Sequence, residues 1–101
     1  MRGVGHAKLA LMPPGALHHI IVRGIERRQI FSDDQDRDNF VERLDNIVTE
    51  TQTFCFAWAL MPNHAHILLR TGQTDLATVM RRLLTGYAFS YNRCHRRHGH
   101  L

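Results

Sequence analysis

From Ala16 to Arg23 apolar and polar side chains alternate, with Leu17, His19, Ile21 and Arg23 on one side and His18, Ile20 and Val22 on the other. A period of two carried by β-branched residues predicts a strand. Phe40, Val41, Leu44, Ile47 and Val48 recur instead at helical spacing, the apolar stripe of an amphipathic helix. Ahead of them Ser32-Asp33-Asp34-Gln35 reads as a capping box with acids in the first turn, so the helix is expected to start near Ser32. Alternation returns from Thr53 to Leu60, placing Phe54, Phe56, Trp58 and Leu60 on one face and Thr53, Cys55, Ala57 and Ala59 on the other. Met61-Pro62-Asn63 is turn-forming, and a further strand follows from His64 to Arg70. So short a link predicts an antiparallel hairpin. Leu76, Val79, Met80, Leu83, Tyr87 and Tyr91 then mark one face of a helix from about Thr74 to Arg93, roughly 30 Å long at 1.5 Å per residue. Gly86 lies inside it and weakens it slightly.

The order strand, helix, strand, strand, helix makes an α+β fold, most of a ferredoxin-like split βαβ sheet with its helices on one face. The usual form adds one more strand after the second helix, and that strand is expected to be missing here. Residues 1–15 read as an N-terminal arm punctuated by Pro13-Pro14-Gly15, and 16–101 as one domain. Between strand and helix, Arg23-Gly24-Ile25-Glu26-Arg27-Arg28 reads as a charged loop in which Gly24 takes an unusual backbone turn.

Composition sharpens this picture in three ways. The 101 residues are 44% hydrophobic and 22% charged, an ordinary globular composition that argues against disorder. No apolar run reaches the ~18 residues of a membrane span, and the N-terminus lacks a signal peptide's hydrophobic region. The formal charge is +4, but its placement is uneven. From Arg70 to Leu101 six arginines face one acid, Asp75. Such a segment suits a polyanion, nucleic acid before membrane, and the competing reading is a solvated helix end. Cys55 and Cys94 have no metal-type spacing and read as free thiols in a reducing cytoplasm.

The sharpest chemical feature is Pro62-Asn63-His64-Ala65-His66-Ile67-Leu68-Leu69. Residues two apart on a strand share a face, so His64 and His66 project together while Ala65, Ile67 and Leu69 point to the core. Two adjacent neutral imidazoles can bind one divalent cation, and a third ligand must come from elsewhere in the fold or from another chain. Taken alone, His-x-His is a weak signal, and a solvated or hydrogen-bonded pair is the more common outcome of that spacing.

Met61 to Leu69 resembles the HUH motif (His, hydrophobic, His) of single-tyrosine transposases, which include insertion-sequence transposases and REP-associated tyrosine transposases. Pro14 to Ile20 and Arg23 to Phe31 resemble the family's opening strand and loop. Leu76 to Arg82 and Tyr87 to Asn92 resemble its long helix, and Arg96-Arg97-His98-Gly99-His100-Leu101 the segment after it. The likeness covers about Pro13 to Leu101.

The resemblance implies a cytoplasmic, metal-dependent enzyme of DNA transposition and recombination acting on single-stranded or hairpin DNA. In the family a tyrosine attacks the scissile phosphate and forms a 5′-phosphotyrosine link, while Mg or Mn held by the two histidines polarises the phosphate. The family's nucleophile and a third metal ligand lie on a later helix, so the expectation is a DNA-binding fragment without cleavage activity, or one that borrows the helix from another chain as a homodimer. Tyr87 and Tyr91 are the only tyrosines. They are candidates for a stand-in nucleophile, against packing on the sheet with hydroxyls near its edge. Arg27, Arg28, Arg93, Arg96 and Arg97 are the candidate DNA contacts. His95, His98 and His100 add charge below neutral pH and are able to bind metal adventitiously. The alternative function is a non-catalytic nucleic-acid-binding module without metal, with Phe54, Phe56 and Trp58 as stacking platforms instead of core.

Overall fold

The computed structural model describes residues 4–6 and 15–95. Its elements follow the order β1 (Val4–His6), β2 (Leu17–Arg23), a 3₁₀ turn (Ile25–Arg27), α1 (Asp34–Glu50), β3 (Phe54–Met61), β4 (His64–Arg70) and α2 (Leu76–His95). The fold is α+β. β2, β4 and β3 form an antiparallel body in which β4 lies between the other two. With α1 joining β2 to β3 this is a split βαβ arrangement. Within the expected arm, Val4–His6 adds a fourth strand against β3, an element the sequence reading did not assign.

The pleat sorts the sheet into two faces. Ala65, Ile67 and Leu69 of β4 are fully buried, while His64, His66, Leu68 and Arg70 are half-exposed. Both helices cover the first set. Phe40, Leu44, Ile47 and Val48 of α1 and Val79, Leu83, Tyr87 and Tyr91 of α2 join Ile30, Phe31, Cys55 and Leu60 in one core. Burying each large side chain contributes about 1.5–3 kcal/mol. Phe31, Phe40 and Tyr87 meet with ring centroids 5.3–5.7 Å apart.

Three local expectations are corrected. The first helix is capped by Asp33, not Ser32. Asp33 accepts the Asp36 N–H at 2.9 Å, and the Asp36 carboxylate reaches back to the Ser32 N–H at 2.8 Å. The Ser32 hydroxyl is engaged with the Tyr91 hydroxyl, 2.8 Å away, so it is not available as the cap.

In β3 the simple alternation breaks. Cys55 pairs with Leu69 but Ala57 pairs with Leu68, which makes Phe56 the extra residue of a β-bulge. Cys55 therefore joins Trp58 and Leu60 on the core side. Phe54, opposite Arg70, moves to the open face together with Ala57, Ala59 and Met61.

Gly24 does not adopt a special φ. Its φ is −71°, and the left-handed residues are Glu26 (φ 55°) and Arg27 (φ 61°). Glycine is required at 24 because a Cβ there would stand 2.0 Å from the Arg28 carbonyl oxygen. Arg23, which the sequence reading placed both at the end of the strand and at the start of the loop, is the last residue of β2.

Candidate metal and nucleic-acid site

The two-residue Pro62-Asn63 turn fixes where the histidines emerge. Its backbone is clamped by the loop that follows β2. The Pro62 carbonyl accepts N–H groups from Ile30 (2.8 Å) and Phe31 (3.2 Å), and the Asn63 carbonyl accepts from Gly24 (3.1 Å). The loop carrying Arg27 and Arg28 thus begins and ends against the turn from which β4 starts. β4 leaves it with Met61 opposite His64 on one side and Arg23 opposite His64 on the other. This register puts both imidazoles on the face away from the helices.

His64 and His66 stand with ring centroids 5.1 Å apart and planes at 77°. Each ring has its Nδ1 engaged. His64 Nδ1 lies 2.8 Å from the Asn63 side-chain oxygen, an acceptor, so His64 donates from Nδ1. His66 Nδ1 lies 3.1 Å from His19 Nε2. The two Nε2 atoms make no hydrogen bond among the described residues. A neutral imidazole with Nδ1–H carries its lone pair on Nε2, the form that ligates a cation. The two histidines supply the donor type for half of a divalent-metal site when His66, like His64, carries its proton on Nδ1. Among the described residues no group of three His, Cys, Asp or Glu is placed to hold a metal ion.

His19 is the neighbour that sequence reasoning missed. It lies on the exposed side of β2, opposite Leu68 and diagonal to His66, with ring centroids 5.2 Å apart and planes inclined by 28°. Strand alternation placed His19 on the same side as Ile21 and Arg23, but only the β2–β4 register brings it to the paired histidines.

Tyr87 and Tyr91 are both buried. The Tyr87 hydroxyl donates to the Ile30 carbonyl. Burial first, then the negative charge of Asp36, pushes its pKa far above the ordinary phenol value. Tyr91 bonds to Ser32 and packs on His95 at 4.4 Å between centroids. His95 Nε2 lies 2.9 Å from both oxygens of buried Asp36. These contacts bring the C-terminal end of α2 to the same end of the sheet as the Pro62-Asn63 turn.

Of the candidate arginines, Arg27, Arg28 and Arg93 are exposed, the first two on the loop beside that turn and the third on the last turn of α2. Arg96 and Arg97, with His98 and His100, lie outside the described residues. No helix among the described residues is long and apolar enough to cross a membrane.

No curated protein matches the chain. A family model does, that of the IS200-like transposases, over residues 15–100. That span runs from Gly15, two residues ahead of β2, through the histidine pair and the whole of α2, and the chain belongs to the IS200-like transposase family.

Proposed function

We propose that this transposase-family chain binds single-stranded or hairpin DNA along its open sheet face, with a divalent cation, Mg or Mn, held by Nε2 of His64 and His66. The observation that carries the reading is the placement of the two rings side by side on one sheet face, with Nδ1 of each engaged by a neighbour and Nε2 left for a ligand. Bound there, the cation would act as a Lewis acid on a DNA phosphate. The chain's own residues supply the rest. Arg27 and Arg28 flank the turn that starts β4 and neutralise backbone phosphates there, with Arg93, exposed on the last turn of α2, and the Arg96-Arg97 pair that follows in sequence as further candidate contacts. Phe54, turned to the open face by the bulge, offers a ring to an unpaired base.

Neither tyrosine suits a nucleophile. A phenol must reach the phosphate and lose its proton, whereas both are buried beneath the sheet with their hydroxyls engaged. The proposal is therefore DNA recognition without covalent attachment through Tyr87 or Tyr91.

The test is a Mn²⁺ titration, followed by calorimetry, of the wild-type chain and His64→Ala/His66→Ala, with binding of a hairpin oligonucleotide measured with and without the ion. Wild type should bind Mn²⁺ and the double variant should lose at least about tenfold in affinity. Equal Mn²⁺ binding by both would overturn the metal site, and metal-independent DNA binding would favour a simple nucleic-acid module. A covalent adduct mapped to Tyr87 or Tyr91 would overturn the assignment of those residues.

A further inference from the structure

The hydrogen bond between His19 and His66 has a direction that matters. If His19 donated from Nε2, His66 Nδ1 would be the acceptor and the proton of neutral His66 would sit on Nε2, where it blocks a cation. If His66 donates from Nδ1, His19 Nε2 accepts and His66 Nε2 keeps its lone pair. His64 is already fixed in the second form, because the Asn63 side-chain oxygen can only accept.

We propose that His19 is a positioning residue. It accepts the Nδ1–H of His66, holds that ring in the tautomer and rotation that ligate a divalent cation, and makes the pair His64/His66 act as one site. This rests on the metal reading above and goes beyond it by assigning a role to a residue on a different strand.

Three observations carry it. The nitrogen–nitrogen distance is 3.1 Å, within ordinary hydrogen-bond range. The ring planes are inclined by only 28° with centroids 5.2 Å apart, which suits a hydrogen bond lying in the plane of both rings and fixes the rotation of His66 as well as its proton. The two Nδ1 partners are matched in function although unlike in origin. Asn63 comes from the turn at the start of β4, and His19 reaches across from β2. A ligating imidazole needs such a partner on its other nitrogen, and losing it typically weakens metal binding 10–100-fold. Neutral His19 carries its own proton on Nδ1 when Nε2 accepts, so no net charge is required of the pair.

Two substitutions separate this role from mere packing. His19→Phe keeps a flat ring of similar size and removes the acceptor. His19→Gln removes the ring and places an acceptor oxygen near the position of Nε2. The side chain is exposed, and thermal unfolding followed by circular dichroism checks that both variants are folded. The readouts are Mn²⁺ affinity of the full chain and, without metal, the tautomer of His66 from long-range ¹⁵N–¹H correlation spectra.

The expected result is an Nδ1–H tautomer for His66 in wild type and His19→Gln, its loss in His19→Phe, Mn²⁺ affinity at least about tenfold weaker in His19→Phe, and affinity within about threefold of wild type in His19→Gln. If wild type and His19→Phe bind Mn²⁺ equally, the role of His19 is overturned and the metal site stands. If Gln fails as Phe does, His19 does not act as an acceptor and the proposal is likewise overturned. If wild type binds no Mn²⁺, both readings fall together.

Discussion

Cys55 and Cys94 carry the same thiol into opposite surroundings. Cys55 is buried and its pKa is raised to about 11, chiefly by desolvation, whereas Cys94 is exposed. Because the thiolate is the reactive form, a water-soluble disulfide reagent at pH 8 should modify Cys94 at once and Cys55 only on unfolding. Fast labelling of both in the native protein would contradict the burial. The same shift has a sign for stability. A group whose folded pKa is raised contributes fully below its ordinary value, here 9.0, and loses that contribution as pH climbs towards about 11. Urea midpoints measured across that window should fall, and Cys55→Ala should flatten the decline. At this scale the paired histidines were legible in the sequence, because a period of two needs no knowledge of the partner strand. His19 was not, since its distance to His66 depends on how two segments 47 residues apart come into register.

The two helices meet along their polar margins as well as through the core. Arg82 pairs with Glu50, and Asn39 donates to Ser90 at 2.8 Å while accepting from Arg43. Gly86 lies on this seam, where an added Cβ would stand 2.8 Å from the end of the Arg43 guanidinium. That atom terminates a flexible side chain and can swing aside, while alanine inside a helix is better than glycine by about 1 kcal/mol. Gly86→Ala should therefore raise the unfolding free energy by roughly 0.5–1 kcal/mol, read from urea denaturation, and destabilisation would mean that Arg43 cannot yield. The helices themselves were readable from their stripes, but their starts were less so. Ser32, Asp33 and Asp34 are all competent caps, and the Tyr91 hydroxyl, a tertiary contact, takes Ser32 out of the choice. The second helix begins at Leu76 instead of Thr74 because Asp75 accepts the Thr78 N–H at 3.0 Å. The bulge at Phe56 left no trace in the pattern. Phe54 to Leu60 is apolar or small throughout, so both phases of the alternation look alike.

Across the whole molecule, one sheet face is sealed by helices and the other carries the histidines, with cationic side chains gathered at the end where the Pro62-Asn63 turn, the preceding loop and the close of α2 meet. DNA held by such a surface is bound largely by displacing counterions, so its affinity should fall steeply with salt. Replacing Arg27 and Arg28 together by alanine should reduce the slope of log affinity against log salt by about 1.4 on single-stranded DNA, at ~0.7 per phosphate contact. An unchanged slope in filter-binding or anisotropy measurements would remove that loop from the interface. The strand order was deducible in outline from element order and a two-residue link, whereas the pairing of Val4–His6 was not, because three residues carry no periodicity to read. Ala65 ties the two sides of this architecture together. It is fully enclosed beneath the helices, yet it occupies the single step of backbone between His64 and His66. A bulkier side chain in that slot would lift the strand and carry both imidazoles with it. Constraints on interior volume are thus also constraints on the exposed chemistry, and a substitution invisible from solvent can disarm the surface.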